Sequence, residues 1–259
     1  MTRTKVARWL GALLVVMVGG TGLGVAQAAE VNVLSAGAVR AIVTDLAEAF
    51  RRETGHTVRL TFGTVGVIRG KLTSGEPADV VIMTDVAIDD MARQGMVTAG
   101  TRTDIARTGM GIGVREGAAK PDISSPDALK QTLLSTKSLV YVDPAQGATS
   151  GIHFAGVLQR LGIADAVKGK TRLVPGGYPA DLVAKGEVDL VAHQISEIIP
   201  VKGVTLVGPL PKDLQKITVY SAGVSARSTT PDAARQFIAF VTQPSLKAKF
   251  AEAGLDYRE

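Results

Sequence analysis

Two alternating periodicities constrain the fold more than any other feature of this 259-residue chain. From residue 31 onward, short apolar runs of strand character take turns with longer runs whose apolar positions recur at helical spacing. VNVLSA (31–36) reads as a strand. VRAIVTDLAEAFRRETG (39–55) puts Ile42, Leu46, Ala49 and Phe50 on one face and stops at Gly55, so it reads as a helix. The strand HTVRLTF, the short helix VGVIRGKLTSG, the strand ADVVIMTD and the helix VAIDDMARQG, stopped by Gly95, follow in turn. A β-α-β-α-β order of this kind implies an α/β fold with a parallel sheet covered by helices on both faces.

Two segments break the alternation. IARTGMGIGVRE (105–116) is a long Gly-punctuated strand candidate without helical period, and ITVYSAGVSAR (217–227) is a similar run. Between them lies a second alternating set, and after them come two helices, PDAARQFIAFV and PSLKAKFAEAG. The simplest arrangement is two α/β lobes. Residues 29–109 plus 220–259 form lobe 1, and 110–219 form lobe 2, inserted into it. The two Gly-containing runs would be the crossover strands, able to act as a hinge because a few residues absorb the backbone change of closure.

The first 28 residues stand apart. Arg3, Lys5 and Arg8 precede the apolar run Leu10–Val18, and Ala26-Gln27-Ala28 has the small-x-small form of a cleavage site. This is the pattern of a secretory signal peptide, too short for a membrane-spanning helix, and it implies a periplasmic mature protein. The leader carries three cations and no acid, so its removal takes the formal charge from +5 to +2. That value, sparse aromatics and no basic cluster longer than Arg51-Arg52 argue against a nucleic-acid partner. Zero Cys excludes disulfides, thiolate metal sites and a Cys nucleophile. The remaining chain of about 230 residues is long enough for two cores of ordinary size.

In open α/β sheets, ligands lie at the carboxyl ends of the strands beside helix N-termini. Four such junctions are built from small residues: Ser35-Ala36-Gly37-Ala38-Val39-Arg40, Gly63-Thr64-Val65-Gly66, Asp143 to Gly151, and Pro175-Gly176-Gly177-Tyr178. Small side chains let backbone N–H groups approach an anion, and the helix dipole favours negative charge there. The expected ligand-binding set is Gly37, Ala38, Arg40, Thr64, Val65, Ser150, Gly151, Gly177, Tyr178 and Gln194. Ser150 would cap its helix and donate to the ligand. His153, in the first turn of that helix, and His193, after the strand VDLVA, are the candidate bases if the site does chemistry. His56 is expected to be solvated, and Asp85 to cap the helix that follows it. No metal-ligand motif, phosphate-loop motif or nucleophile elbow is present, and no cofactor is implied.

The opening VNVLSAGAV…LAEAFRRETGHTVRLTFGTVG, the run LTSGEPADVVI (72–82), PAQGATSGIHFAGVLQRLG and AARQFIAFVTQP together resemble the periplasmic substrate-binding proteins of ABC importers, specifically their molybdate-binding branch. The resemblance spans almost the whole mature chain. It implies the type II periplasmic binding protein fold, two α/β lobes joined by two crossover strands, in a monomer that closes on a small anion and hands it to an ABC permease. The molybdate pattern places hydroxyl residues after strands one and two. Here Ser35-Ala36-Gly37-Ala38 and Gly63-Thr64-Val65-Gly66 retain mainly Thr64, and Val191-Ala192-His193-Gln194 stands where the pattern has a Tyr. A tetrahedral oxyanion needs several donors to replace its hydration, so the departures favour an organic (poly)carboxylate over molybdate. An offshoot of the same scaffold, aconitate isomerase, implies a second reading, in which His153 or His193 moves a proton between two carbons of a tricarboxylate.

Overall fold

The computed structural model describes residues 28–257, so the leader, apart from Ala28, lies outside the described residues. Its strands fall into two separate sheets of six and five strands. The first sheet begins with β1 (Glu30–Ala36), which leads through a 3-10 turn at Gly37–Val39 into α1 (Arg40–Thr54). The turn at Gly55 is left-handed, at φ 79°, and its N–H closes on the Arg51 carbonyl. β2 (Thr57–Gly63), α2 (Val65–Thr73), β3 (Val80–Thr84), α3 (Asp85–Arg93) and β4 (Thr103–Thr108) complete the first pass. β2 and β3 pair in parallel on either side of β1.

The second sheet holds β5 (Met110–Arg115), β6 (Leu139–Val142), β7 (Thr171–Val174), β8 (Leu190–Gln194) and β9 (Val204–Pro209). Its helices are α4 (Pro126–Ser135), α5 (Thr149–Arg160), α6 (Ala164–Lys168) and α7 (Ala180–Ala184). The chain then returns to the first sheet as β10 (Thr218–Val224), adds α8 (Pro231–Val241) and α9 (Lys247–Glu252), and ends in β11 (Asp256–Tyr257). The strand orders are β2-β1-β3-β10-β4-β11 and β7-β6-β8-β5-β9.

Each sheet is buried on both faces. One face of the first sheet packs on α1 and α8 through Phe50, Phe237 and Val241; the other packs through Ile68, Met83, Ile88 and Met91. The second sheet is covered in the same manner, by Leu129, Phe154 and Leu158 on one side and Ala180, Val183 and Ile198 on the other. Strands buried on both faces read as near-continuous apolar runs, as ADVVIM and SLVYV do.

The crossings differ in detail from expectation. The run 105–116 is not one strand. It divides at Gly109 into β4 of one sheet and β5 of the other. The run 217–227 crosses nothing, because β10 lies wholly in the first sheet, and the return crossing is made by residues 210–217. Gln215 in that crossing joins the two connections. Its Oε1 accepts from the Met110 N–H and its Nε2 donates to the Met110 carbonyl, each at 2.8 Å.

Two smaller expectations also change. His56 is half-buried, stacked on Phe50 at 5.8 Å, with Nδ1 accepting from the Ala29 N–H. The cap of α3 is Thr84, whose hydroxyl accepts from the Ala87 N–H, and Asp85 is the first helical residue.

Candidate functional site

All four small-residue junctions line one cavity of about 270 Å³ between the sheets. This is near the lower end of small-molecule sites and suits a compact ligand. Lobe 1 supplies Gly37, Ala38, Arg40, Phe62, Thr64 and Val65; lobe 2 supplies Thr149, Ser150, Gly176 and Gly177. The first amides of a helix have no partner within it. The start of α5 therefore aims donors and the positive end of its dipole at this space.

The lobes touch at the mouth of the cavity. Thr64 Oγ1 donates to the Gln146 carbonyl at 2.5 Å while accepting from Val67 N–H, and Gly66 N–H donates to the Gly147 carbonyl at 3.2 Å. A Cβ on Gly66 would stand 2.7 Å from the Gln146 oxygen, so this approach of backbone to backbone requires glycine. The Thr64 hydroxyl lines the cavity, as expected of a ligand-binding residue, while its proton bridges the lobes.

Arg40 supplies positive charge to the cavity. Its guanidinium carbon lies 4.4 Å from the centre of the Phe62 ring and 5.5 Å from that of Tyr178, so rings from both lobes flank it. Among the described residues it makes no ion pair within 4.0 Å. Tyr178 is not a lining residue; it braces Arg40 instead.

The lobe 2 side of the cavity holds an acid that sequence reasoning missed. Glu197 ends a 3-10 turn directly after β8, is 7% exposed, and lines the cavity with His193. Its Oε2 lies 3.5 Å from His193 Nε2. Burial raises the Glu197 carboxyl to about 8, with Arg40 pulling the other way. Burial also lowers His193 to about 4, against an opposing pull from the Gly177 backbone. At neutral pH the pair is therefore a neutral imidazole beside a largely protonated carboxylic acid. Apart from the contact with the Gly177 backbone, the His193 nitrogens meet no well-aligned hydrogen-bond partner among the described residues, although the residue is 2% exposed. Such orphaned donors and acceptors in a cavity wall are suited to a polar ligand.

Tyr220 of β10 also lines the cavity. Its phenol accepts from Gln194 Nε2 at 3.2 Å and bonds the Thr149 side chain, and burial pushes its pKa up. Gln194 stands behind Tyr220 and does not line the cavity.

Other expected residues separate cleanly. Gly37, Ala38, Arg40, Val65, Ser150, Gly177 and His193 line the cavity. Gly151 does not: a Cβ there would fall 2.1 Å from the Val142 carbonyl, so it serves the packing of α5 on β6. Ser150 is not a cap, since Ala148 precedes the helix and no side chain caps it. His153 points elsewhere. Its Nε2 donates to the Leu214 carbonyl at 2.8 Å, and burial lowers its pKa, helped by Lys216 and Arg160. That bond holds the ring against the return crossing, so the assignment of His153 as a base is corrected.

Comparison with known proteins agrees with this architecture. Residues 31–256 match the family described as bacterial extracellular solute-binding protein. An aconitate isomerase of Pseudomonas sp. is 33% identical over 253 residues, covering 95% of this chain and 94% of the relative. A molybdate-binding protein of Escherichia coli is 26% identical, covering 86% and 87% of the two chains. The solved periplasmic molybdate-binding protein of Azotobacter vinelandii superposes with a TM-score of 0.74 at 21% identity, over 88% of this chain and all of that one. The two-lobed fold is thus that of periplasmic binding proteins, and the chain belongs to the bacterial extracellular solute-binding protein family.

Proposed function

We propose that this chain is an exported isomerase acting on a small polycarboxylate, interconverting cis- and trans-aconitate by moving one proton between two carbons. The observation that carries the reading is the buried Glu197 carboxyl beside His193 in the cavity wall. In a carrier such an acid could only donate a hydrogen bond to the anion while protonated, and would repel it once ionised. A carbon acid needs such a group, and a base is most effective with a pKa near the working pH.

The proposed step is redox-neutral and needs no cofactor. Ionised Glu197 takes a proton from the methylene carbon. The C–H electron pair becomes the new double bond, and the old double-bond pair takes the proton back from the Glu197 acid at the other terminus. Arg40, the first amides of α5 and the Ser150 hydroxyl would hold carboxylates and stabilise the charge that builds on one of them. His193 and the Tyr220 phenol would offer further polar contacts. The similarity to an aconitate isomerase supports the same assignment.

A second reading, a carrier that closes on an organic anion and delivers it to an ABC permease, is favoured by the bridging contacts Thr64–Gln146 and Gly66–Gly147. Incubating purified protein with trans-aconitate and following formation of the cis isomer separates the two. Turnover that is lost in Glu197→Gln supports the isomerase. Tight binding without turnover leaves the carrier.

A further inference from the structure

Gly37 occupies a 3-10 turn and is not among the glycines with positive φ, so its backbone is open to any residue. No turn geometry calls for glycine at this position. The space does. A Cβ on Gly37 would lie 2.7 Å from Glu197 Oε1 and 3.8 Å from its Cδ, whereas the closest backbone atom, the Gly63 oxygen, is 3.9 Å away. The tip of one acid side chain is thus the group that contests the place. Gly37 belongs to lobe 1 and Glu197 to lobe 2, so the contact exists only when the lobes are together.

We propose that Gly37 is a positioning residue for the proposed proton transfer: its missing side chain is the socket that seats the Glu197 carboxyl as the lobes close. The proposal rests on the reading of Glu197 as the proton carrier. A side chain at position 37 turns the carboxyl out of the wall it shares with His193, Arg40 and Tyr220, with Tyr178 the further titratable group acting on it from behind Arg40. The reacting carbons then lose their base while Arg40 and the α5 amides keep their hold on the ligand.

The test compares Gly37→Ala with Gly70→Ala, a control glycine whose Cβ would meet nothing within 4 Å. Gly37→Ala is expected to fold, because the opposing atom is the movable end of a side chain. Its kcat with trans-aconitate should fall at least 10-fold with KM changed less than threefold. The loss of thermal stability between pH 6.5 and 8 should also shrink, as Glu197 regains water. The double variant Gly37→Ala/Glu197→Asp, one methylene shorter, should recover part of kcat. A Gly37→Ala protein that turns over within twofold of wild type and keeps the wild-type stability profile overturns the proposal. Failure of Gly37→Ala to fold also overturns it, since glycine would then serve the scaffold. If wild type does not isomerise aconitate, the functional reading falls, while the stability profile still decides the role of Gly37.

Discussion

His193 Nε2 and Glu197 Oε2 lie 3.5 Å apart in the cavity wall, and burial drives their pKa values in opposite directions, to about 4 and about 8. The consequence for stability follows from the protons bound in each state. The Glu197 acid is favoured by folding, so its contribution is complete below the unfolded value of 4.5 and is lost as pH rises through about 8. Neutral His193 is favoured too, so its contribution is present above 6.5 and is lost as pH falls through about 4. Between 4.5 and 6.5 the two slopes oppose and largely cancel. From 6.5 to 8 only Glu197 acts, and stability should fall by about 2 kcal/mol. Denaturant melts of the ligand-free protein should show this fall, and Glu197→Gln should remove it.

Turnover should follow the same group. The proposed base must be ionised, so kcat/KM for trans-aconitate is expected to rise with pH toward about 8. Glu197→Gln keeps the shape but not the base, and should lose about 100- to 10,000-fold in kcat. Binding of citrate, followed calorimetrically, should survive the change.

Arg40 is held between the Phe62 and Tyr178 rings, with no carboxylate within 4.0 Å among the described residues and Glu197 acting on it from farther away. Losing a charge-assisted contact costs about 1.5–3 kcal/mol, so Arg40→Met should weaken citrate binding roughly 10- to 100-fold. Arg40→Lys should not restore it, because an ammonium lacks both the planar stacking and the forked donors. Titration calorimetry on the two variants checks both statements.

Closure should depend on Gly66. An added methyl would press on the Gln146 oxygen and, at 2.9 Å, on the Gly147 Cα, both parts of the backbone. The lobes themselves do not need this contact. Gly66→Ala should therefore leave the melt of the ligand-free protein within about 1 kcal/mol of wild type, yet cut citrate affinity by about 10-fold or more, because the competent closed state becomes rarer. Small-angle scattering with citrate should report a more open molecule than wild type.

The parts of this site that sequence exposed are those whose signal is local. The four small-residue junctions stand at strand ends, and period alone locates strand ends, so Gly37, Thr64, Ser150 and Gly177 were all placed at the cavity. Glu197 carries no such mark. In the run HQISEIIP it reads as an ordinary surface acid, yet it is buried, and its carboxyl lies against Gly37 of the other lobe, a contact of long sequence separation. His153 fails for the complementary reason. It sits one turn into the right helix, but the Leu214 carbonyl on the return crossing draws its ring away. The crossing at Gly109 was blurred because the two strands meeting there are both extended and apolar, and nothing in the run 105–116 records the change of sheet.

The pair of hydrogen bonds from Gln215 to the Met110 backbone bears on how such a molecule can move. Two free connections would allow the lobes to slide, tilt and rotate independently. An amide side chain that engages both the N–H and the carbonyl of the other connection fastens the two into a single ribbon. A ribbon bends readily about one axis and resists shear about the others. Such a ribbon would steer any opening along one arc and return the same atoms of the two lobes face to face. For a site lined by residues of both lobes, reproducible travel matters as much as the residues that meet.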